Sequence, residues 1–227
     1  MSATDSNRRK RRGIKPQGRI KICGLFREAD VDFANEAGPD FIGFVFAESR
    51  RRVSIREAER LRSGLRDGIV PVGVFVNALP EEIAALYRDG VIGVAQLHGG
   101  EDTPYIRRLK TLSGYAGRTP VPVIKVFRVG GAAGAGWDDP ALYAGADYLL
   151  LDSGSGSGKP FDWGILPSSP PISLPWFLAG GVSLENIDSA LSYSPFAVDV
   201  SSGAETDGVK DRQKMIALVK RVRKYPA

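Results

Sequence analysis

The sequence predicts an α/β protein, a single (β/α)8 TIM barrel preceded by a basic N-terminal tail. Three observations predict this fold class. Eight short apolar segments recur at intervals of roughly 20–30 residues, with amphipathic segments between most of them. Glycine-rich turns follow the last strands rather than the first, which disfavours the competing doubly wound sheet with its dinucleotide fingerprint. The length of 227 residues also suits one such barrel.

The basic character of the chain is confined to its N-terminus. Residues 1–19 hold seven basic residues and one acidic residue, whereas the remainder holds 24 basic and 25 acidic residues. We therefore expect residues 1–18 to be a basic, flexible tail and residues 19–227 to form the barrel. Contact of the tail with nucleic acid or an acidic surface, or a short transit peptide, are the alternatives. The near-neutral body argues against a nucleic-acid partner.

Composition also narrows the functional classes. No window approaches the roughly 20 apolar residues of a membrane helix, and no secretory signal precedes the first strand. A single cysteine cannot form an internal disulfide, which predicts a cytoplasmic location. One cysteine and one histidine leave little for a Cys/His metal site, and no metal is expected, with an all-carboxylate site as the alternative.

The strands are predicted from short β-branched or aromatic runs, several of them continuously apolar, as in parallel strands buried on both faces. In chain order they are Ile20–Cys23, Phe41–Phe46, Val70–Phe75, Val94–Leu97, Val121–Val126, Ala146–Leu151, Trp176–Ala179 and Ala197–Val200.

The helices are predicted from apolar periodicity and terminal signals. Ser54 with Glu57 three residues later forms a capping box, and Pro80 suits a first helical turn. The predicted helices are Glu28–Ala37, Ser54–Leu65, Pro80–Arg88, Asp102–Leu112, Ser183–Leu191 and Asp211–Val222, with weaker ones at Asp138–Ala144 and Trp163–Leu166.

In a barrel the active site lies at the C-terminal ends of the strands. Cys23 and Asp152 end strands 1 and 6 and are candidates for proton transfer. The local alternatives are a small buried hydrophobe for Cys23 and a cap for Asp152. Arg51, within a run of three arginines, is a candidate for binding a substrate carboxylate; a solvated basic loop is the alternative, and composition does not tell which of the three points inward. His98 could serve as an acid or base, or simply stand in a turn.

Two glycine-rich turns follow strands 7 and 8. Exposed backbone N–H groups there predict a phosphate site, although tight turns alone would also use glycine. The predicted phosphate-binding residues are Gly180, Gly181, Ser202 and Gly203.

Several motifs occur together in one order along the chain. They are Lys21-Ile22-Cys23-Gly24, Gly43-Phe44-Val45-Phe46 with Ser49-x-Arg51, Val72-Gly73-Val74-Phe75-Val76-Asn77, Gln96-Leu97-His98-Gly99, Leu150-Leu151-Asp152, Ser157-Gly158-Lys159-x-Phe161-Asp162-Trp163, Leu178-Ala179-Gly180-Gly181 and Val198-Asp199-Val200-Ser201-Ser202-Gly203-x-Glu205. From about residue 19 onward the chain resembles the phosphoribosylanthranilate isomerase family of tryptophan biosynthesis. It departs from the family in having Arg50 where a proline is usual, and in a glycine- and serine-rich loop after Asp152.

The resemblance implies a cofactor-free Amadori rearrangement of a small phosphosugar, N-(5-phosphoribosyl)anthranilate, to 1-(o-carboxyphenylamino)-1-deoxyribulose 5-phosphate. It implies that Cys23 is the general base for the ribose C2 proton and Asp152 the general acid for the ring oxygen. It further implies that Arg51 holds the anthranilate carboxylate and that the glycine-rich turns hold the phosphate. We expect a monomer or homodimer.

Other readings remain open at this point. A phosphosugar isomerase of histidine biosynthesis, or a dual-substrate version, would carry aspartate at position 23. Indole-glycerol-phosphate synthase relies on strand-end lysines, for which only Lys125 is a candidate. A barrel that binds nucleic acid through its tail is the candidate from another class.

Overall fold

The computed structural model of the chain describes residues 18–129, 136–152, 163 and 172–226. Eight parallel strands form a closed barrel in sequential order, and β1 pairs with β8 to complete the ring. The predicted fold class is confirmed. The strands are β1 Ile20–Cys23, β2 Phe41–Val45, β3 Val70–Phe75, β4 Val94–Leu97, β5 Val123–Arg128, β6 Tyr148–Asp152, β7 Trp176–Leu178 and β8 Ala197–Val200.

Strand β5 differs most from its predicted bounds. It begins two residues late, since Pro122 has no N–H with which to join the sheet and the N–H of Val121 binds the Ser113 hydroxyl instead. It continues to Arg128, which pairs with Asp152 at the end of β6. This extension carries both charged residues to the C-terminal mouth of the barrel.

Six α-helices accompany the strands within the described residues. They are α1 Glu28–Ala37, α2 Ile55–Ser63, α3 Pro80–Arg88, α4 Thr103–Ser113, α5 Ile187–Ser192 and α6 Arg212–Val222. The capping box of α2 is present, because Ser54 accepts from the Glu57 N–H while the Glu57 carboxylate accepts from Ser54. Single turns of 3-10 helix occupy Tyr115–Gly117, Pro140–Tyr143 and Ser202–Ala204. No helix in the described part of the chain is long and apolar enough to cross a membrane.

Two predicted helices are shorter than expected. The segment Asp138–Ala144 forms only one 3-10 turn, because Gly145 follows it with a φ of +96°. Helix α5 begins at Ile187 rather than Ser183, since the Asn186 side chain accepts from the Ser183 N–H and holds this stretch as a turn. Of the predicted helix Trp163–Leu166, residues 164–166 lie outside the described residues.

The barrel interior is filled at its N-terminal end. Phe41 and Phe177 meet there edge to face, with ring centroids 5.4 Å apart. Below the open end, the inward-facing apolar residues are Phe41, Val72, Val94, Ile124, Val126, Leu150, Phe177, Ala179 and Ala197. Within the barrel formed by the described residues, this packing leaves the C-terminal ends of the strands open to a ligand.

Gly18, the first described residue, contacts the C-terminal segment of the chain. The Gly18 N–H donates to the Tyr225 carbonyl at 2.8 Å, and Arg223 donates to the Gly18 carbonyl. Residues 1–17 lie outside the described residues. The division into a tail and a barrel therefore stays a prediction.

Candidate active site

A cavity of about 550 Å³ opens at the C-terminal ends of the strands, and each strand, or the residue directly after it, contributes to the wall. Of the residues predicted from sequence, it is lined by Cys23, Arg51, Asp152, Gly180, Gly181 and Ser202. Gly203 lies behind the wall. The structure thus brings the predicted proton-transfer, carboxylate-binding and phosphate-binding residues to one mouth.

Cys23 ends β1 with its thiol directed into the barrel. The neighbouring strand makes room for it, because a Cβ at Gly43 would lie 2.7 Å from the sulfur. Burial raises the pKa of the Cys23 thiol, and the charge of Asp199 raises it further, while the ammonium groups of Lys21 and Lys210 oppose both effects. Cys23 is therefore a thiol whose ionisation depends on the charged groups around it.

Lys21 lies two residues before Cys23, on the same face of β1, and its side chain is completely buried. Its ammonium donates to Asp199 of β8 at 2.8 Å. Lys21 and Asp199 are also register partners where the two strands close the barrel. A charged pair is thus built into the floor of the cavity beneath the thiol.

Asp152 ends β6, across the mouth from Cys23, and it is partly exposed to the cavity. Its carboxylate lies 3.6 Å from Nε2 of His98, which follows β4. Burial lowers the pKa of His98 more than the nearby Asp152 raises it. We therefore take His98 as neutral at pH 7 and as a polar neighbour of the Asp152 carboxylate.

The three consecutive arginines after β2 have different environments. Arg51 is 17% exposed and lines the cavity, and it grips Glu205 with two hydrogen bonds, from Nε at 2.6 Å and Nη2 at 3.0 Å. Arg50 is 52% exposed and donates to Glu205 and to the Gly208 carbonyl. Arg52 turns outward to Glu48. Arg51 is thus the arginine most firmly held at the mouth.

Glu205 is the anchor of this basic cluster. Lys210, itself buried, donates to Oε1 at 2.7 Å. Burial would raise the pKa of Glu205, but the hydrogen bonds from Arg51 and Lys210 outweigh it and lower the pKa to about 2. One ionised carboxylate therefore meets three cations, and this side of the mouth keeps an excess of positive charge for an anionic group of a ligand.

The glycine-rich turns after β7 and β8 pack closely against each other. A Cβ at Gly203 would lie 2.1 Å from the Val182 carbonyl oxygen. Gly180 and Gly181 have φ values of +94° and +74°, the left-handed region that glycine favours. Among the described residues, none accepts a hydrogen bond from the N–H of Gly180 or Gly181. These amides and Ser202 line the cavity and suit an anionic ligand.

Four residues of the site were missed by reasoning from the sequence. Lys21, Gln96, Asp199 and Glu205 are buried polar residues in or beside the mouth. For Lys21, Gln96 and Asp199 the signal was a polar residue inside an otherwise apolar strand, as in Ile20-Lys21-Ile22 or Val198-Asp199-Val200, whereas Glu205 carried no such signal. Oε1 of Gln96 and Oδ1 of Asp199 have no hydrogen-bond partner within the described residues, which leaves both able to meet a ligand hydroxyl.

Lys125 does not reach the mouth. It lies on the outer face of β5, where its ammonium donates to the Gly99 carbonyl at 2.8 Å and faces Glu101 at 3.4 Å. Within the described residues, no group of three or more His, Cys, Asp or Glu side chains is placed to hold a metal ion. Among the described residues that line this mouth, the candidates for acid or base predicted from the sequence are the Cys23 thiol, the Asp152 carboxyl group and the His98 imidazole.

Comparison with known proteins gives a consistent result. A family model described as N-(5'phosphoribosyl)anthranilate (PRA) isomerase matches residues 20–221. The chain is 45% identical over 214 residues to the N-(5'-phosphoribosyl)anthranilate isomerase of Endomicrobium trichonymphae, covering 90% of this chain and 98% of that protein.

Solved structures of the same family superpose well on this fold. The phosphoribosyl anthranilate isomerase of Thermus thermophilus has a TM-score of 0.74 and 35% identity over 91% of this chain and 98% of its own. Another, solved in complex with reduced 1-(o-carboxyphenylamino)-1-deoxyribulose 5-phosphate, has a TM-score of 0.72 and 31% identity, covering 92% of this chain and 100% of its own.

Proposed function

This chain belongs to the N-(5'-phosphoribosyl)anthranilate isomerase family, and from that premise we propose how its mouth carries out the reaction. The enzyme converts N-(5-phosphoribosyl)anthranilate to 1-(o-carboxyphenylamino)-1-deoxyribulose 5-phosphate in tryptophan biosynthesis. One observation carries the assignment of roles. A thiol on β1 and a carboxyl group on β6 face each other across a single cavity that also has an arginine and free glycine amides in its wall.

The proposed reaction needs two proton transfers at neighbouring atoms. Asp152, as general acid, protonates the ribose ring oxygen, so that the C1–O bond breaks and an iminium forms between C1 and the anilino nitrogen. Cys23, as thiolate, then removes the C2 proton, and the C2–H electrons neutralise the iminium to give an enol amine. Tautomerisation of that enol gives the 2-ketose. No electron leaves or enters the substrate, so no cofactor is required.

Substrate binding is assigned to the charged parts of the mouth. Arg51 is proposed to bind the anthranilate carboxylate, with its guanidinium oriented in advance by Glu205. Gly180, Gly181 and Ser202 are proposed to donate to the phosphate, while Gly203 allows the two turns to approach each other. The substrate would thus span the cavity between two anion-binding walls.

The competing enzyme readings receive less support. Cys23 stands where the histidine-pathway isomerases carry aspartate. The outward orientation of Lys125 removes the lysine that suggested indole-glycerol-phosphate synthase. We also propose a cytoplasmic location, a monomeric or homodimeric state and a basic tail over residues 1–18, each of which stays a prediction from the sequence.

The test is a steady-state assay with phosphoribosylanthranilate, run beside the histidine-pathway substrate. Cys23→Ala and Asp152→Asn should each lower kcat by about 10²–10⁴-fold, the usual contribution of a general acid or base. Asp188→Asn, on the outer surface in contact with Arg221, is the control and should keep wild-type kcat. Activity within a few-fold of wild type in either site variant would refute the assigned roles.

A further inference from the structure

The proposed function leaves one chemical requirement open, namely how Cys23 becomes a thiolate. A buried sulfur resists ionisation, because a low-dielectric surrounding disfavours the charged form. A positive charge beside the sulfur is needed to offset that effect.

The charged groups that face Cys23 come from several elements. Lys21 stands on the same strand, Asp199 on β8 and Lys210 in the short strand Val209–Lys210, and all three interact electrostatically with the thiol. Arg51 packs against Gly24, where a Cβ would lie 2.3 Å from the arginine Cδ. Among the described residues, the remaining charged or titratable groups that line the cavity are Glu48 and Arg50 after β2, and His98, Arg128 and Asp152.

Two of the nearby cations are already engaged elsewhere. Arg51 makes its two hydrogen bonds to Glu205, and Lys210 donates to Glu205 and to the Ser201 carbonyl. Lys21 differs, since it stands two residues before Cys23 on the same face of β1 and its ammonium is held by Asp199. Of the cations in the described part of the mouth, Lys21 is therefore the one that shares the strand and the face of Cys23 and makes no bond to Glu205.

The burial of Lys21 requires an explanation. Its side chain is 0% exposed and that of Asp199 is 8% exposed. Apolar residues of similar volume stabilise a core as well as such a pair, or better, because removing two charges from water is costly. The pair also leaves Oδ1 of Asp199 without a partner among the described residues. Fold stability alone does not account for a charged pair at this position.

We propose that Lys21 is a positioning residue for the reaction, whose ammonium, anchored by Asp199, stabilises the Cys23 thiolate. Despite its burial the pKa of Lys21 is raised, by the neighbouring Asp199 and Cys23, so it stays charged across the working pH range. Asp199 has two opposed effects, since it fixes the ammonium in place while its own charge disfavours the thiolate. The inference rests on the proposed role of Cys23 as the base.

The ionisation of the Cys23 thiol can be measured directly in this chain. Cys23 is its single cysteine, so thiolate ultraviolet absorbance and the iodoacetamide alkylation rate report on this one sulfur. In Lys21→Met the thiol pKa should rise by about one to three units, the usual effect of losing a nearby opposite charge, with alkylation at pH 7 slowed about tenfold or more. In Asp199→Asn the thiol pKa should instead fall and alkylation should accelerate.

Lys125→Met is the matched control for removing a buried ammonium. Lys125 is 6% exposed but lies on the outer face of β5, bound to Gly99 and Glu101. This variant should leave the thiol titration at its wild-type position. A shift equal to that of Lys21→Met would show that the thiol responds to general loosening of the barrel, and would overturn the proposal.

The pH profile of kcat/KM separates positioning from a structural role. If Lys21 stabilises the thiolate, the acidic limb of the profile moves to higher pH in Lys21→Met, together with the thiol titration. If Lys21→Met loses activity while the acidic limb and the thiol titration both stay at their wild-type pH, the proposal is refuted. If Lys21→Met does not fold, Lys21→Gln decides, because an unchanged thiol pKa in that variant also refutes it. Absence of isomerase activity in the wild type would refute the proposed function alone, since the thiol titration stands without it.

Discussion

Glu205 offers the sharpest quantitative test of the electrostatics of this mouth. The change Glu205→Gln keeps the size of the side chain but removes the negative charge that Arg50, Arg51 and Lys210 share. The pKa of Glu205 is lowered from 4.5 to about 2 in the folded chain. Its ionisation therefore contributes about 3 kcal/mol to the free energy of unfolding at pH 7, at about 1.4 kcal/mol for each pKa unit.

The pH dependence follows from the sign of that shift. Because the folded pKa is the lower one, the contribution is complete above pH 4.5 and is lost as the pH falls towards 2. At pH 3 the same relation leaves about 1.4 kcal/mol. The gap between wild type and Glu205→Gln should therefore narrow by about half between pH 7 and pH 3.

Urea denaturation followed by circular dichroism measures this gap. Glu36→Gln is a matched control, since Glu36 makes the same two-pronged contact with Arg212 but at the exposed surface. Its removal should cost at most about 1 kcal/mol. A Glu205→Gln gap no larger than the control, or one that stays constant with pH, would refute the assignment of Glu205 as a buried, ionised anchor.

Two glycines give further predictions. Gly43→Ala should lower kcat at least about tenfold while the protein stays folded, because the new methyl group would displace the Cys23 sulfur. The control is Gly64→Ala, where a Cβ meets only ordinary contacts. It should keep wild-type kcat in the same steady-state assay. Gly203→Ala should raise the inhibition constant for inorganic phosphate about tenfold or more, since its Cβ would force the two glycine-rich turns apart. Gly100→Ala should leave this inhibition constant at its wild-type value. Equal inhibition constants for phosphate in the two variants would contradict the proposed phosphate site.

The position of the site could be predicted from the sequence because each strand can be recognised from its own short run of residues. Cys23 and Asp152 each end a clear apolar run, and parallel strands in a barrel deliver their C-terminal residues to one mouth. The family motifs then assigned a role to each. The strand count was right at all eight positions, although Pro122 delayed the start of β5.

The electrostatic partners could not be predicted because they come from distant parts of the chain. Which arginine of the run faces inward depends on Glu205, more than 150 positions later. The environment of Cys23 depends on the closure of the barrel, which places Asp199 beside Lys21. A charged residue inside an apolar strand marks such a position but does not identify its partner.

The pairing of β1 with β8 also bears on the stage of folding at which the active site forms. Lys21 and Asp199 are 178 positions apart, and Arg51 and Glu205 are 154 apart. Contacts between residues so far apart in sequence cost more loop-closure entropy than local contacts, so we expect them to form late in folding. During synthesis β1 leaves the ribosome long before β8, so a nascent chain carries its cysteine without the pair that completes its surroundings. We therefore expect catalytic competence and ring closure to appear in the same folding event.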